Sequence, residues 1–131
     1  MSSLVRVLVV DDDALICRAI RRTLAASSFD VVTADGIASG KAAVETSAPF
    51  HVVLCDLTIK DGSGAVLVDW LEQTDPALWS RTVVMTGGAM DPAGRKLVEG
   101  GRVQVLMKPF ELMALVALVT SVAARGGMTV G

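Results

Sequence analysis

Five short runs of apolar, largely β-branched residues recur along the chain: Val5 to Val10, Val31 to Ala34, His51 to Cys55, Thr82 to Met85 and Val103 to Met107. Most are apolar at consecutive rather than alternating positions, which predicts strands covered on both faces. The longer segments between them have helical spacing and predict helices over about Ala14 to Ala26, Ile37 to Ser47, Gly64 to Gln73, Pro92 to Glu99 and Phe110 to Ala124. Asp35-Gly36, Asp61-Gly62-Ser63-Gly64, Gly87-Gly88 and Gly100-Gly101 fall between elements, where turns need permissive residues. Strands alternating with helices predict repeated βα units around a parallel sheet, an α/β fold. No linker, repeat or low-complexity tract interrupts the pattern.

Composition narrows the picture. A chain of 131 residues makes one ordinary domain with a real core. Twelve basic against fourteen acidic residues leave a net charge of −2, which offers no nucleic-acid or anionic-membrane surface, so binding chemistry must be local. Cys17 and Cys55 each lie in an apolar stretch, as buried thiols in a reducing compartment do, and their spacing suits neither a disulfide framework nor a metal knuckle. Met-Ser-Ser leads into a strand without the features of a signal peptide, so a cytoplasmic protein is expected.

Polar residues stand where four of the strands end: Asp11-Asp12-Asp13, Asp56, Thr86 and Lys108. In an open α/β sheet ligands bind outside the carboxyl ends of the strands. An Asp run before a helix can be a simple cap, but one cap needs one carboxylate. Bringing Asp11, Asp12 and Asp56 together on neighbouring strands concentrates like charge, which a cation or a shared proton must relieve. Carboxylates without His or Cys favour Mg²⁺, an ion that bridges readily to phosphate oxygens. Lys108 would then add a compact positive charge and Thr86 a hydroxyl donor for a phosphoryl group.

These residues, in this order, resemble the receiver domains of two-component response regulators. The resemblance runs from about Arg6 to Ala124 and rests on Val7-Leu-Val-Val-Asp11-Asp12, the segment Asp30 to Gly36, Cys55-Asp56-Leu57 with Gly64 eight residues after Asp56, Met85-Thr86-Gly87 and Lys108-Pro109-Phe110. It implies a flavodoxin-like (βα)5 three-layer sandwich whose parallel sheet has the order 2-1-3-4-5. It also implies a single receiver domain over 1–131, with its core at about 5–124 and no output domain. Asp56 would accept a phosphoryl group from a histidine kinase or phosphotransfer protein, so that the chain is a phosphoacceptor switch rather than an enzyme. Asp12, Asp56 and the backbone carbonyl of Thr58 would ligate Mg²⁺ directly, Asp11 would act mainly through water, and Thr86 and Lys108 would bind phosphoryl oxygens. Movement of Thr86 would bias a surface made of the fourth helix, fifth strand and fifth helix, open to a second copy or a partner. The stretch from Arg81 to Met90 with Lys108-Pro-Phe110 is similar to receivers at the ends of hybrid histidine kinases.

Three positions depart from the family pattern. Val105 stands three residues before Lys108, where an aromatic is usual, so a different or weaker readout is expected. Lys60 replaces a proline four residues after Asp56, and Gly88 replaces a larger polar residue two past Thr86; Thr58 and Gly88 would help set phosphate lifetime. Two rival functions remain. Asp11-Asp12-Asp13 fits the opening of a haloacid-dehalogenase-like phosphatase with Asp11 as nucleophile, although no acidic pair follows the fourth strand. A receiver used only for docking would not need all five polar residues.

Other residues take plainer readings. His51, the sole histidine, is a strand-edge polar residue; Trp70 and Trp79 are packing or anchoring residues on the third helix and the loop after it. Cys55 should point away from the side of Asp56, and Arg18, Arg21 and Arg22 form the solvated face of the first helix, with kinase docking as a second use. Leu112 to Ala124 lacks any charge. Leu115, Val119 and Val122 can face the sheet, which leaves Met113, Ala114, Ala117, Leu118 and Ser121 outside, either as a contact strip or as small apolar groups of no consequence. A mass that rises with concentration in light scattering is expected from a contact strip for a second copy. A constant monomer mass, with and without a phosphoryl mimic, would remove it.

Overall fold

A computed structural model describes residues 4–126. In chain order the elements are β1 (Val5–Val10), α1 (Ala14–Ala26), β2 (Phe29–Ala34), α2 (Ile37–Ser47), β3 (Val52–Asp56), β4 (Thr58–Ile59), β5 (Gly62–Ser63), α3 (Gly64–Thr74), α4 (Pro76–Trp79), β6 (Thr82–Thr86), α5 (Pro92–Glu99), β7 (Gln104–Met107) and α6 (Leu112–Arg125). The main sheet is parallel throughout, in the order β2-β1-β3-β6-β7. With the small β4-β5 hairpin set aside, this is the expected 2-1-3-4-5 order.

Strand alternation sorts the core into two layers. Val7, Val9, Val52, Leu54, Val83 and Met85 pack with Ile20 and Leu24 of α1 and with Leu115, Val119, Val122 and Ala123 of α6. Leu8, Val10, Val53, Cys55 and Val84 pack on the other side with Ile37, Leu67, Val68 and Leu71 of α2 and α3. Both faces of the central strands are therefore dry, which is why they read as unbroken apolar runs. No described helix is long and apolar enough to cross a membrane.

Where the structure departs from expectation, local partners explain the shift. β2 starts at Phe29 rather than Val31 because Phe29 is buried and in register with Val5. His51 lies just before β3; its Nδ1 accepts from the Arg6 N–H at 2.9 Å and its own N–H donates to the Arg6 carbonyl. Burial and the nearby Arg81 and Arg6 charges hold its pKa below the ordinary value, as suits a neutral structural imidazole. Trp79 lies on the short helix α4 rather than in a loop, because Asp75 caps that helix and Pro76 opens it. α3 runs to Thr74 and β7 begins at Gln104; α6 begins at Leu112, after Glu111 in extended backbone, and ends at Arg125. Leu118 is half-buried against the α1/α6 core, whereas Met113, Ala114, Ala117 and Ser121 are exposed as expected.

Gly64 explains its own spacing from Asp56. A Cβ there would lie 2.0 Å from the Asp56 carbonyl oxygen, so α3 can start this close to β3 only on a glycine. Gly64→Ala should therefore cost about 3 kcal/mol or more in urea unfolding, the upper range for overpacking. At Gly36 a Cβ would meet only the Asp61 carboxylate, 2.8 Å away, which can swing aside. Gly36→Ala should lose clearly less.

Candidate functional site

The parallel register brings the polar residues together. Val10 pairs with Cys55, so the next residues, Asp11 and Asp56, lie level on adjacent strands. The ladder continues one residue past each strand: Asp11 N–H donates to the Ala34 carbonyl at 3.0 Å, Leu57 N–H to Met85 at 3.0 Å and Lys108 N–H to Thr86 at 2.7 Å. Asp11, Asp56 and Lys108 share strand parity with Val9, Leu54 and Leu106, all of which pack in the α1/α6 layer. Thr86 has the parity of Val84, which packs in the other layer.

Lys108 is the electrostatic centre. Its Nζ donates to Asp11 Oδ2 at 2.8 Å and to Asp56 Oδ2 at 2.9 Å. Burial opposes the ammonium charge, but these two hydrogen bonds outweigh it and hold the Lys108 pKa above its ordinary value. Burial, with the Asp56 charge adding to it, raises the Asp11 pKa even against Lys108. Asp11 is only 1% exposed, and its Oδ1 also accepts from the Asp13 N–H at 2.9 Å. Asp56 is buried apart from its outer edge, and its Oδ1 accepts from the Thr58 N–H at 3.1 Å.

The three adjacent aspartates divide their work. Asp13 caps α1, accepting from Leu15 N–H and Ile16 N–H. Asp12 is exposed and makes no ion pair or side-chain hydrogen bond among the described residues. Asp11, Asp12 and Asp56 can each offer an oxygen within 4.8 Å of the others'. An all-carboxylate set of this kind suits a hard divalent cation.

The Thr86 side chain, like that of Asp12, makes no hydrogen bond to the cluster among the described residues. It is buried, and its Oγ1 accepts from the Gly88 N–H at 3.2 Å. Val105 lies beside Val84 in register, half-buried in the α2/α3 layer. Cys55 is fully buried on that same layer, away from Asp56, and burial raises its pKa. Cys17 lies nearer, its Sγ donating to the Asp11 carbonyl at 3.2 Å, but burial and the aspartates push its pKa up to about 11, so it is a thiol and no nucleophile.

Several features escaped sequence reasoning. Lys60 pairs with Asp35 at 2.7 Å, which lowers the Asp35 pKa and raises that of Lys60. Next to it, Asp61 caps α2 from a distance, accepting from Ile37 N–H at 2.9 Å and Ala38 N–H at 3.2 Å; these bonds lower its pKa. No local signal could announce a cap contributed from 24 residues away. Beside Lys108, an apolar hollow of about 390 Å³ is lined by Ile16, Ala19, Ile20, Phe110 and Leu112. Arg18 and Arg21 are exposed as expected, yet they also line a cleft of about 550 Å³ next to Asp11 and Asp12.

Comparison with known proteins finds both a matching family model and similar folds. The family model described as the response regulator receiver domain matches residues 7–120. The photosynthetic apparatus regulatory protein RegA of Rhodobacter capsulatus is 32% identical over 102 residues, 78% of this chain and 54% of RegA. The transcriptional regulatory protein PrrA of Mycobacterium tuberculosis is 33% identical over 125 residues, 95% of this chain and 52% of PrrA. The chain thus spans about half the length of these curated relatives. Among solved structures, a CheY-like receiver domain protein from Methanospirillum hungatei superposes with a TM-score of 0.85 at 24% identity, covering 95% of this chain and 98% of the other. A response regulator receiver protein from Pseudomonas putida gives 0.80 at 26%, covering 92% and 99%.

Asp12 adds negative charge to the cluster and has no partner among the described residues. In the presence of a chelator, Asp12→Asn should therefore stabilise the fold by about 0.5 kcal/mol, read from the urea midpoint at constant m-value.

Proposed function

The chain belongs to the response regulator receiver family, and from that membership we propose that Asp56 is its phosphoacceptor in a phosphorelay. The observation that carries the proposal is the Lys108 ammonium held 2.8 Å from Asp11 and 2.9 Å from Asp56, with Asp12 alongside. The donor is a phosphohistidine on a sensor kinase or phosphotransfer protein. Its P–N bond breaks as an O–P bond forms to Asp56, and the imidazole nitrogen leaves with the electron pair.

Asp11, Asp12, Asp56 and the Thr58 carbonyl would hold Mg²⁺, Asp11 mainly through water. Mg²⁺, when bound, supplies positive charge to the phosphoryl oxygens. Lys108 then exchanges an Asp56 oxygen for a phosphoryl oxygen, and preorganised charge of this kind supplies most of the catalysis in phosphoryl transfer. Thr86, free of the cluster, turns its hydroxyl toward the phosphoryl group. The apolar hollow from Ile16 to Leu112 beside Lys108 suits a partner's apolar helix face, so the imidazole can arrive over Asp56 in a cytoplasmic encounter. We read the described residues as one receiver unit that changes shape rather than turning over a substrate. The phosphatase alternative with Asp11 as nucleophile does not survive family membership, and Asp11 is the most buried and most tightly bonded of the three carboxylates.

With Mg²⁺ and acetyl phosphate, the wild type should take up one acid-labile phosphoryl group and Asp56→Asn none. An unlabelled wild type would instead favour a docking-only receiver. A pH dependence accompanies this. Because the Asp11 pKa is raised in the folded state, the folded chain keeps that proton longer than the unfolded one. Asp11's contribution to metal-free stability therefore falls as pH rises from the ordinary carboxylate range through the raised value. Mg²⁺ binding needs the ionised form, so affinity should weaken as pH falls through the same window. Calorimetry in buffers of different ionisation heat should show proton release on binding.

A further inference from the structure

The β4-β5 hairpin touches both the phosphoacceptor and α5. At one end, the Thr58 N–H donates to Asp56 Oδ1 at 3.1 Å. At the other, the Ser63 hydroxyl donates to Asp91 Oδ1 at 3.1 Å. That same Asp91 oxygen accepts from the Gly94 N–H at 2.9 Å and is the N-cap of α5. Ser63 is itself the N-cap of α3, its Oγ accepting from the Ala65 N–H. Two helix starts are thus joined through a six-residue segment whose first residue bonds to Asp56.

Packing reinforces the link. A Cβ built on Gly94 would lie 3.5 Å from Leu57 Cδ1, so α5 sits directly over the residue that follows Asp56. α5 has eight residues, and Gly94 alone among them is fully buried, with Leu97 and Val98 half-buried. So short and lightly seated a helix can shift at low cost. The chain itself reaches α5 from β6 through Gly87 and Gly88, where an added Cβ would meet nothing within 4 Å and Gly88 has φ +107°. A glycine pair in open space transmits little force, and Val105 offers no ring beside it.

We propose that Ser63 is a positioning residue that carries the phosphorylation state of Asp56 to α5 through its hydrogen bond to Asp91. This rests on the reading of Asp56 as phosphoacceptor. A phosphoryl group on Asp56 competes for the Thr58 N–H and displaces the hairpin; Ser63 then pulls on or releases the Asp91 cap, and α5 reorients.

The test compares wild type, Ser63→Ala, Ser63→Thr and Asp91→Ser with Mg²⁺ and acetyl phosphate, following label on Asp56 and the amide resonances of Arg95 to Glu99. Asp91→Ser keeps a helix cap but is too short for Ser63 to reach. Expected are full labelling in all four proteins, a loss of at least half of the phosphorylation-dependent shifts in Ser63→Ala and Asp91→Ser, and recovery in Ser63→Thr. Wild-type shifts in labelled Ser63→Ala or Asp91→Ser overturn this inference alone. Failure of Ser63→Ala to label also overturns it, since Ser63 would then act on the acceptor rather than on α5. An unlabelled wild type overturns the phosphoacceptor reading together with it.

Discussion

Three carboxylates converge at the carboxyl edge of the sheet, and the ammonium of Lys108 lets the fold keep them there. Two of the three, Asp11 and Asp56, share it as a hydrogen-bond donor, while Asp12 is exposed and has no partner among the described residues. Removing charged groups from water costs several kcal/mol each unless geometry and hydrogen bonding repay it. Here repayment is partial, as the raised Asp11 pKa shows. The site is consequently poised: a further cation relieves repulsion already built into the fold. That frustration links stability to function, because whatever binds at the cluster also alters the balance of forces on three strand ends.

The neighbouring hairpin converts this local balance into connections with the helices. Lys60 pairs with Asp35, Asp61 caps α2, and Ser63 caps α3 while reaching Asp91 at the start of α5. Each bond satisfies a group that a helix terminus or an exposed turn would otherwise leave to water. Gly64 fixes the distance at which α3 follows, since its missing side chain makes room for the Asp56 carbonyl. The segment after Asp56 is thus held by short, directional contacts as well as by Leu57 and Ile59, which are buried in the α2/α3 layer.

The strands and most helices were legible because their signals are local. Val5–Val10 and Ala14–Ala26 match expectation at both ends: consecutive apolar residues mark a doubly covered strand, and Asp13 supplies the cap that starts the helix. The short elements were not legible. Thr58–Ile59 and Gly62–Ser63 are too brief for any periodicity, and Pro76–Trp79 depends on a single capping aspartate. Leu118 was expected outside because helical phase gives direction but not depth; it is half-covered because it packs against the α1/α6 core.

By itself the sequence determined the order of the five main strands and the longer helices, the identity of the five polar residues at strand ends and the family they resemble, because a parallel sheet places every strand end on one edge. Tertiary structure alone decided which of those residues meet. Register sets Asp11 level with Asp56, a chain separation of 97 residues closes between Asp11 and Lys108, and strand parity gives the Thr86 side chain the direction of Val84, in the other layer. Asp61 and Ser63 acquired partners far along the chain in the same way. The physical reason is range. Periodicity, caps and turns are interactions within a few residues, whereas charge pairing and close packing act between whichever groups the fold brings within a few ångströms.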